Sequence, residues 1–486
     1  MAQSPTFQGS SASEYDKQIR QFRSNIKRLS AKDFQKRSVE DILGEEDQAA
    51  GTGIEYTILL SDTIAAVSQN NAVGIHSTLW AKILQYLRSF DPVAIRYVGK
   101  DFRMILETVI SSAKAASTPH HAIIPVRNAI LRLQPENETL TSFHLPLLQL
   151  CLETKHYQEA LPILDKIIFN FPTSNPHNLD SDYPCSDHQD SSGYITLKSG
   201  LTSPVQYRNI HEYFLLGGMI YTALGRKRWD EAMLYFEYVM CVATQNVATG
   251  YMLEAYRKWL LLGVLLTGKT PAIPRIANSA AMRTIQTASK HYVALVAAFH
   301  NSDVSKLKAE INVGLTQWDE DGNLGLALEL TSAHRRFYII NLQKTYSRCY
   351  ISQLDEEGNS DLAMKVAHTL IEDGNLNAVI EYHNGKPTIE FFPNSKGPLA
   401  KSEEQFQESV VQKLDKIKAL MERVKRVEQK VMLSPEYIQA ARKAKDTSNV
   451  VASGPPIRDL GAMDEPMGFS ANGADFAPDD EDLMET

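Results

Sequence analysis

The stretch 217–240, GGMIYTALGRKRWDEAMLYFEYVM, constrains the fold of this chain more than any other part of the sequence. It contains two amphipathic segments joined by a short polar turn, and neither segment can bury its apolar face alone. Small residues such as Gly217 and Ala232 allow two helices to approach each other, while Tyr221 and Phe236 fill the gap between them. The pattern predicts a helix-turn-helix unit that stacks against further units. Such stacks hold partner proteins, so the pattern favours a scaffold over an enzyme.

A second stretch, residues 145–168, has the same order of residue types, with Tyr157 and Ala160 in the places of Trp229 and Ala232. Tetratricopeptide-like repeats have this order and stack into a solenoid. Helical periodicity also covers most of the chain from residue 14 to residue 300. Residues 171–204 interrupt it with four prolines and many Ser, Asp and Asn residues, which predicts an exposed loop insertion.

The composition, with 43% apolar residues, is that of a globular protein, and the longest apolar run, residues 259–266, is too short to span a bilayer. The first 13 residues are small and polar and lack the apolar core of a signal peptide. The four cysteines are scattered, and Cys151 and Cys241 lie in apolar helical patterns, so we expect buried, reduced thiols. These features predict a protein of the cytoplasm and nucleus without a membrane segment.

The charge of the chain is concentrated near its C-terminal end. The net charge is −8, and residues 459–486 carry nine acidic residues and no Lys or Arg. This composition predicts an acidic, disordered tail. The remaining body is then close to neutral, which offers no broad positive surface for nucleic acid.

The hydrophobic period changes from 3.6 to 2 after the helical patterns of residues 324–347 and 360–373. Residues 378–382 and 388–391 alternate in the manner of strands, and the turn dipeptide Asn384-Gly385 lies between them. Helices followed by a β-hairpin predict a winged-helix domain. An uncapped two-stranded wing would expose backbone groups that another sheet could complete.

A winged helix can bind DNA through its last helix, so the charge of residues 360–373 matters. This segment carries Lys365 against Asp361, Glu372 and Asp373, and an acidic helix would be repelled by phosphates. The segment therefore favours contact with protein over contact with nucleic acid.

A long amphipathic helix is predicted over residues 402–431. Its apolar positions alternate in spacing between four and three, with Glu428 breaking one step. The spacing predicts a seam that packs against partner helices, and the alternative is that the helix packs on its own domain. The predicted seam residues are Val410, Leu414, Ile417, Met421, Val424 and Val431.

The sequence contains partial matches to catalytic and metal-binding motifs, but each match lacks a feature that its motif requires. Residues 263–270, GVLLTGKT, match the P-loop expression, which needs a strand before it and a helix after it. Here the preceding segment is helical and Pro271 follows, so Gly268 is predicted to end a helix. His177, Cys185 and His188 lack a fourth metal ligand. We therefore predict no catalytic, cofactor-binding or metal-binding residues.

These patterns together predict a mainly α protein. It consists of a tetratricopeptide-like helical-repeat solenoid, a winged-helix domain and a long C-terminal helix. The predicted segments are a disordered N-terminus (1–13), a helical-repeat domain (14–323) with an exposed loop insertion (171–204), a winged-helix part (324–395), a C-terminal bundle helix region (402–444) and an acidic tail (446–486).

This arrangement resembles the PCI family, whose members occur in the proteasome lid, the COP9 signalosome and translation initiation factor 3. Residues 217–240 and 252–269, and to a lesser degree residues 368–391 and the terminal helix, are similar to the subunit 3 family of the COP9 signalosome. The likeness covers roughly residues 140–444 and fits a fungal or otherwise divergent member. The 171–204 segment and the acidic tail depart from the shorter forms of the family.

The resemblance implies a non-catalytic scaffold in an assembly that removes Nedd8 from cullin-RING ubiquitin ligases, with the zinc protease in another subunit. It implies a hetero-oligomer with subunits 1 and 8 as neighbours, joined through the winged-helix edge and a helical bundle. The edge residues that this implies are Ile380, Tyr382, Ile389 and Phe391. The alternatives are a scaffold of the proteasome lid or of translation initiation factor 3, a nucleic-acid adaptor, and a lone peptide-binding repeat protein.

Overall fold

The computed structural model describes most of the chain but not all of it. The described residues are 12–33, 53–67, 73–172, 183–186, 188, 190–242, 247–301, 303–354, 360–383, 386–393, 396–400, 402–433 and 437–443.

Helices make up nearly all of the described structure before residue 343, as the sequence predicted. The first group is α1 (Ala12–Asp33), α2 (Ile54–Val67), α3 (Thr78–Ser89), α4 (Pro92–Ile95), α5 (Gly99–Ala115), α6 (His120–Leu133), α7 (His144–Glu153) and α8 (Leu161–Leu164). The second group is α9 (Tyr207–Ala223), α10 (Trp229–Cys241), α11 (Gly250–Thr267), α12 (Ser279–Ala288), α13 (Lys290–His300), α14 (Val304–Val313), α15 (Leu315–Glu320) and α16 (Leu324–Leu342). Their buried faces share one continuous hydrophobic core.

The helix pair α9 and α10 confirms the prediction made from residues 217–240. A Cβ atom at Gly217 would lie 2.6 Å from the Tyr235 ring, and one at Gly218 would lie 2.5 Å from the Phe236 ring. The two glycines therefore let the backbone of α9 lie directly against aromatic rings of α10. Gly225, with φ of +97°, makes the turn between the helices, a conformation that glycine adopts without strain.

The segment 171–204 is not an exposed loop where it is described, so that prediction is wrong. Ile195 and Leu201 are buried in the main core. The Arg96 guanidinium stacks on the Tyr194 ring at 3.8 Å and donates a hydrogen bond to the Pro184 carbonyl at 2.8 Å. The described part of this segment contains apolar residues among its polar ones. Their burial offsets the conformational entropy that the segment loses when it becomes ordered.

Helix α11 lies at the centre of the repeat region and is buried on most sides, Trp259 and Leu261 included. One polar group on it, Lys258, is also buried. The Lys258 Nζ donates to Asn323 Oδ1 at 2.7 Å, and Asn323 Nδ2 donates to the Tyr292 hydroxyl at 2.8 Å. This network satisfies the ammonium group and joins α11 to α13 and to the start of α16.

A second hydrophobic core begins within α16. The first part of α16, up to Phe337, packs against the main core, and Ile339 packs in the second. The predicted boundary at residue 323 is therefore too early, because one continuous helix serves both cores. The second core also contains α17 (Ser360–Glu372) and a sheet formed by β1 (Arg348–Tyr350), β2 (Ala378–His383) and β3 (Lys386–Phe391).

The sheet has the strand order β1-β3-β2, and both pairings are antiparallel. Gly374, with φ of +71°, ends α17 as predicted and directs the chain into β2. The helices and the three-stranded sheet of this core form a winged helix, in which the β2–β3 pair is the wing. The predicted turn residues Asn384 and Gly385 lie outside the described residues.

The long C-terminal helix, α18 (Glu403–Met432), belongs to a separate unit, of which residues 402–433 and 437–443 are described. The predicted acidic tail, 446–486, lies outside the described residues. Ser402 caps its N-terminus, since the Ser402 hydroxyl accepts from the Gln405 N–H and the Gln405 side chain bonds back to Ser402. Glu403 and Glu404 in the first turn complement the helix dipole.

Across the described parts of the chain, no helix combines the length and apolar character needed to cross a membrane.

Candidate protein-interaction site

Strand β2 is one of the two edge strands of the winged-helix sheet, the other being the three-residue β1, and no described strand pairs with its outer side, which is its open edge. Phe391 N–H donates to the Ser347 carbonyl at 2.9 Å, whereas Phe392 N–H donates to the Asn377 carbonyl at 2.8 Å. Backbone polar groups alternate sides along a strand, so odd-numbered residues of β3 bond towards β1 and even-numbered ones towards β2. With Ile380 opposite Ile389, the N–H and C=O groups of Ile380 and Tyr382 point to the open edge.

Two of the four predicted edge residues do lie on this strand. Tyr382 is 72% exposed, and Ile380 is half-buried against the second core. The polar neighbours Glu381 and His383 are also exposed. Strand β2 thus offers backbone groups for pairing, with a large aromatic side chain beside them.

The other two predicted edge residues do not lie at an edge, and that prediction is wrong. Ile389 is 0% exposed and Phe391 is 6% exposed, and both belong to the second core. Strand β3 is paired on both sides because β1 adds a third strand that the sequence analysis missed. Only three residues long, β1 is too short to show an alternating pattern.

The predicted seam residues of α18 are all exposed. Their exposed fractions are 39% for Val410, 48% for Leu414, 52% for Ile417, 66% for Met421, 57% for Val424 and 51% for Val431. Four of them recur at intervals of seven residues, namely Val410, Ile417, Val424 and Val431. They form the centre of an apolar face along the helix.

Sequence reasoning missed three apolar residues on that face, Phe406, Leu420 and Val427, which are 60%, 58% and 41% exposed. Leu420 and Val427 lie four residues before Val424 and Val431, while Leu414 and Met421 lie four after Val410 and Ile417. The face is therefore about three positions wide in each heptad, which is typical of a helix in a bundle rather than of a two-stranded seam. The signal was present in the sequence, because Leu420 and Val427 also lie three residues after the predicted seam residues Ile417 and Val424.

The P-loop-like residues take the helical context that the sequence predicted. Helix α11 continues to Thr267, and Gly268 caps it in the left-handed conformation with φ of +69°. The backbone N–H of Gly268 donates to the Val264 carbonyl at 2.9 Å and is not free to meet a phosphate. The motif match is thus the C-terminal end of a helix.

Groups with reactive chemistry are few in the described part of the chain. Cys151 is buried, and burial raises the pKa of its thiol to about 12, so the thiolate that would act as a nucleophile is scarce. Cys241, predicted to be buried, is only half-buried. Both are free thiols. No cluster of three or more His, Cys, Asp and Glu side chains among the described residues is arranged to hold a metal ion.

The chain is similar to known proteins over most of its length. The family model for the N-terminal helical repeats of COP9 signalosome complex subunit 3 matches residues 52–281. Over 392 residues the chain is 32% identical to COP9 signalosome complex subunit 3 of Emericella nidulans, and the match covers 77% of this chain and 78% of that protein. The protein of the same name from Neurospora crassa is 26% identical over 450 residues, or 89% of each chain. The one from Arabidopsis thaliana is 25% identical over 307 residues, or 62% of this chain and 63% of that protein.

Proposed function

This chain belongs to the subunit 3 family of the COP9 signalosome, and on that premise we propose that it is a non-catalytic scaffold of the complex. In this role the chain holds neighbouring subunits, and the complex removes Nedd8 from cullin-RING ubiquitin ligases through a zinc protease carried by another subunit. The proposed neighbours are other PCI subunits, with subunits 1 and 8 the foremost candidates. The proposed location is the cytoplasm and nucleus.

The observation that carries this proposal is the apolar face of α18. Large apolar residues spaced three and four apart remain exposed along the helix, including Leu414, Leu420 and Met421. Burying one such side chain contributes about 1.5–3 kcal/mol relative to leaving it in water. A face of this size is therefore driven strongly towards other helices, and the proposed occupants are the terminal helices of neighbouring subunits.

The edge of β2 supports the same proposal with a different kind of contact. The N–H and C=O groups of Ile380 and Tyr382 point outwards, and a strand from a neighbouring winged helix would pair with them. The edge sets register through hydrogen bonds, whereas the apolar face of α18 provides most of the burial. Together they make a two-point attachment.

The test uses two double variants of α18 that differ only in the face they change. Leu414→Glu with Met421→Glu places charges on the apolar face, and Gln412→Glu with Ala419→Glu places them at the same spacing on the opposite face. We expect the first to lose co-purifying signalosome subunits from cell extracts and the second to retain them. Identification of the retained chains by mass spectrometry also tests the proposed neighbours.

Thermal unfolding of the purified variants separates assembly from folding. For the proposed role, both double variants keep the melting temperature of the unmodified chain. If the apolar face covers its own domain instead, Leu414→Glu with Met421→Glu lowers the melting temperature by many degrees. That result, or full retention of the partners, contradicts the proposal.

The non-catalytic part of the proposal has its own test. The purified chain should cleave neither peptide nor isopeptide substrates, nor nucleotides, because the P-loop letters end a helix and no metal-ligand cluster is present among the described residues. With the unmodified chain, the signal of a fluorescent ATP analogue should stay at its background level. Lys269→Ala should not change that signal. Nucleotide binding that this substitution abolishes contradicts the proposal.

A further inference from the structure

A groove of about 830 Å³ lies in the helical-repeat region among α11, α12 and α13, and we name it the basic groove. Its apolar surface includes the buried residues Leu260 and Val296 and the 45% exposed Val293. Arg283 on α12 and Lys290 at the start of α13 are exposed and also line it. The volume falls within the range of sites that bind small molecules or short peptide segments.

The sequence around the groove has a marked charge bias. No Asp or Glu occurs between Glu254 and Asp303, while that interval contains Arg257, Lys258, Lys269, Arg275, Arg283 and Lys290. Arg257 and Lys258 are used inside the fold, Arg257 by an ion pair with Asp321 and Lys258 by its hydrogen bond to Asn323. The whole chain, by contrast, has a net charge of −8.

The remaining cations of the interval face solvent. Lys269, Arg275, Arg283 and Lys290 are exposed, and none of them forms an ion pair with a described residue. Two of the four, Arg283 and Lys290, line the groove itself. Cations beside an apolar surface attract a ligand that brings both carboxylates and apolar side chains.

The wall that joins α11 to α12 is held in place before any ligand arrives. The Pro271 ring packs so closely on α11 that a Cβ at Gly263 would lie 2.5 Å from it. The Thr270 hydroxyl and His300 Nε2 are hydrogen-bonded at 2.9 Å across the groove end. A wall that is already ordered loses less entropy on binding.

We propose that the basic groove binds an acidic peptide segment of a partner protein. Carboxylates of the segment pair with Arg283 and Lys290, and an apolar side chain covers Val293 and Leu260. Single-stranded nucleic acid fits less well, because bases stack on exposed aromatic rings and the tyrosine of the groove, Tyr256, is only 4% exposed. This inference is independent of the role of α18 and of the β2 edge.

The experiment uses the purified full chain and a fluorescent short peptide in which Glu and Asp alternate with Leu and Phe. Two further probes are the same peptide with Gln and Asn in place of the acids, and a labelled single-stranded oligonucleotide. The test variant is Arg283→Glu with Lys290→Glu. The matched control is Lys227→Glu with Lys365→Glu, which reverses two exposed charges elsewhere on the chain.

We expect saturable binding of the acidic peptide that weakens with added salt, as charge pairing requires. The test variant should bind at least about tenfold more weakly and the control variant within about twofold of the unmodified chain. The neutral peptide should bind at least about tenfold more weakly than the acidic one. If the test variant unfolds, Arg283→Gln with Lys290→Gln replaces it, with the same direction of effect expected.

Three results would overturn the inference. The first is an absence of saturable binding of the acidic peptide, and the second is an equal loss in the test and control variants. The third is tight binding of the oligonucleotide with loss in the test variant while the acidic peptide does not bind, which would assign the groove to nucleic acid.

Discussion

Helices α11 and α18 both carry many large apolar residues, yet they use them in opposite ways. In α11, apolar residues such as Trp259 and Leu261 point to most sides of the helix and are buried. In α18, they follow one face, and residues such as Leu414 and Leu420 remain about half exposed. Charged residues fill the other sides of α18.

The difference shows how the distribution of apolar residues separates stability from assembly. A helix that is apolar all round must be enclosed by its own domain, because water would contact it on every side. A helix with one apolar face and a charged remainder is stable in water on its polar side and attracts a partner on the other. Core truncations should therefore act on unfolding, and changes to the α18 face should act on association.

The largest expected effect tests this comparison directly with the same substitution in each helix. Leu261→Ala in α11 should lower the free energy of unfolding by about 2–5 kcal/mol, because it leaves a cavity at a side chain that is 0% exposed. Leu420→Ala in α18, at 58% exposure, should change it by less than about 0.5 kcal/mol. Urea unfolding of the purified chain measures both. Equal losses would refute the distinction between the two helices.

A buried histidine gives the repeat region a pH dependence that α18 should lack. His144 is 0% exposed, the Thr141 N–H donates to its Nδ1 at 3.0 Å, and its Nε2 donates to Asn137 Oδ1 at 2.7 Å. Burial lowers the pKa of His144 to about 4, while the unfolded chain keeps a pKa of about 6.5. The unfolded chain therefore binds the extra proton first.

Stability should accordingly fall by roughly 3 kcal/mol as the pH drops from about 6.5 to about 4, and this loss should then level off. His144→Gln should remove most of this dependence, whereas the same change at the exposed His291 should retain it. Chemical unfolding at a series of pH values gives the slopes. A slope that His144→Gln leaves intact would show that other groups cause it.

A tightly packed glycine of α9 and an open glycine of α16 allow a second comparison within the repeat region, between a site of close helix approach and a site without it. Gly218→Ala should destabilise the chain by about 1–3 kcal/mol, since the new Cβ would lie 2.5 Å from the Phe236 ring. Gly325→Ala, in α16 and with open space around it, should be neutral or stabilise by up to about 1 kcal/mol. Melting temperatures of the two variants measure the difference. Equal effects would show that α9 does not depend on close approach.

The smallest expected effect concerns the β2 edge. Tyr382→Pro removes an outward N–H and should weaken association with a neighbouring subunit roughly two- to tenfold, with little change in melting temperature. Glu381→Pro removes an N–H that faces β3 and should destabilise the winged helix itself. Ile389→Pro would do the same, because Ile389 lies in the central strand. Association unchanged by Tyr382→Pro would remove the edge from the proposed interface.

Some of these features could be predicted from local patterns because their cause is local. The glycine and aromatic residues of residues 217–240 specified a helix pair, and the spacing of Val410, Ile417 and Val424 specified an apolar face on α18. The left-handed Gly268 ended α11 where the P-loop letters occur, as the helical pattern before it indicated. In each case the determining residues lie within a few turns of one another.

Other features were decided only by contacts between distant segments. The three residues of β1 form a strand because β3 lies beside them, and this pairing makes Ile389 a core residue instead of an edge residue. The polar composition of residues 171–204 predicted exposure, but Leu201 is buried against helices encoded about a hundred residues earlier, where a Cβ at Gly99 would lie 2.6 Å from its N–H. The basic groove likewise takes residues from three helices. Periodicity reports which face of a segment is apolar, whereas the partner of that face depends on burial across the whole chain, which only the tertiary structure decides.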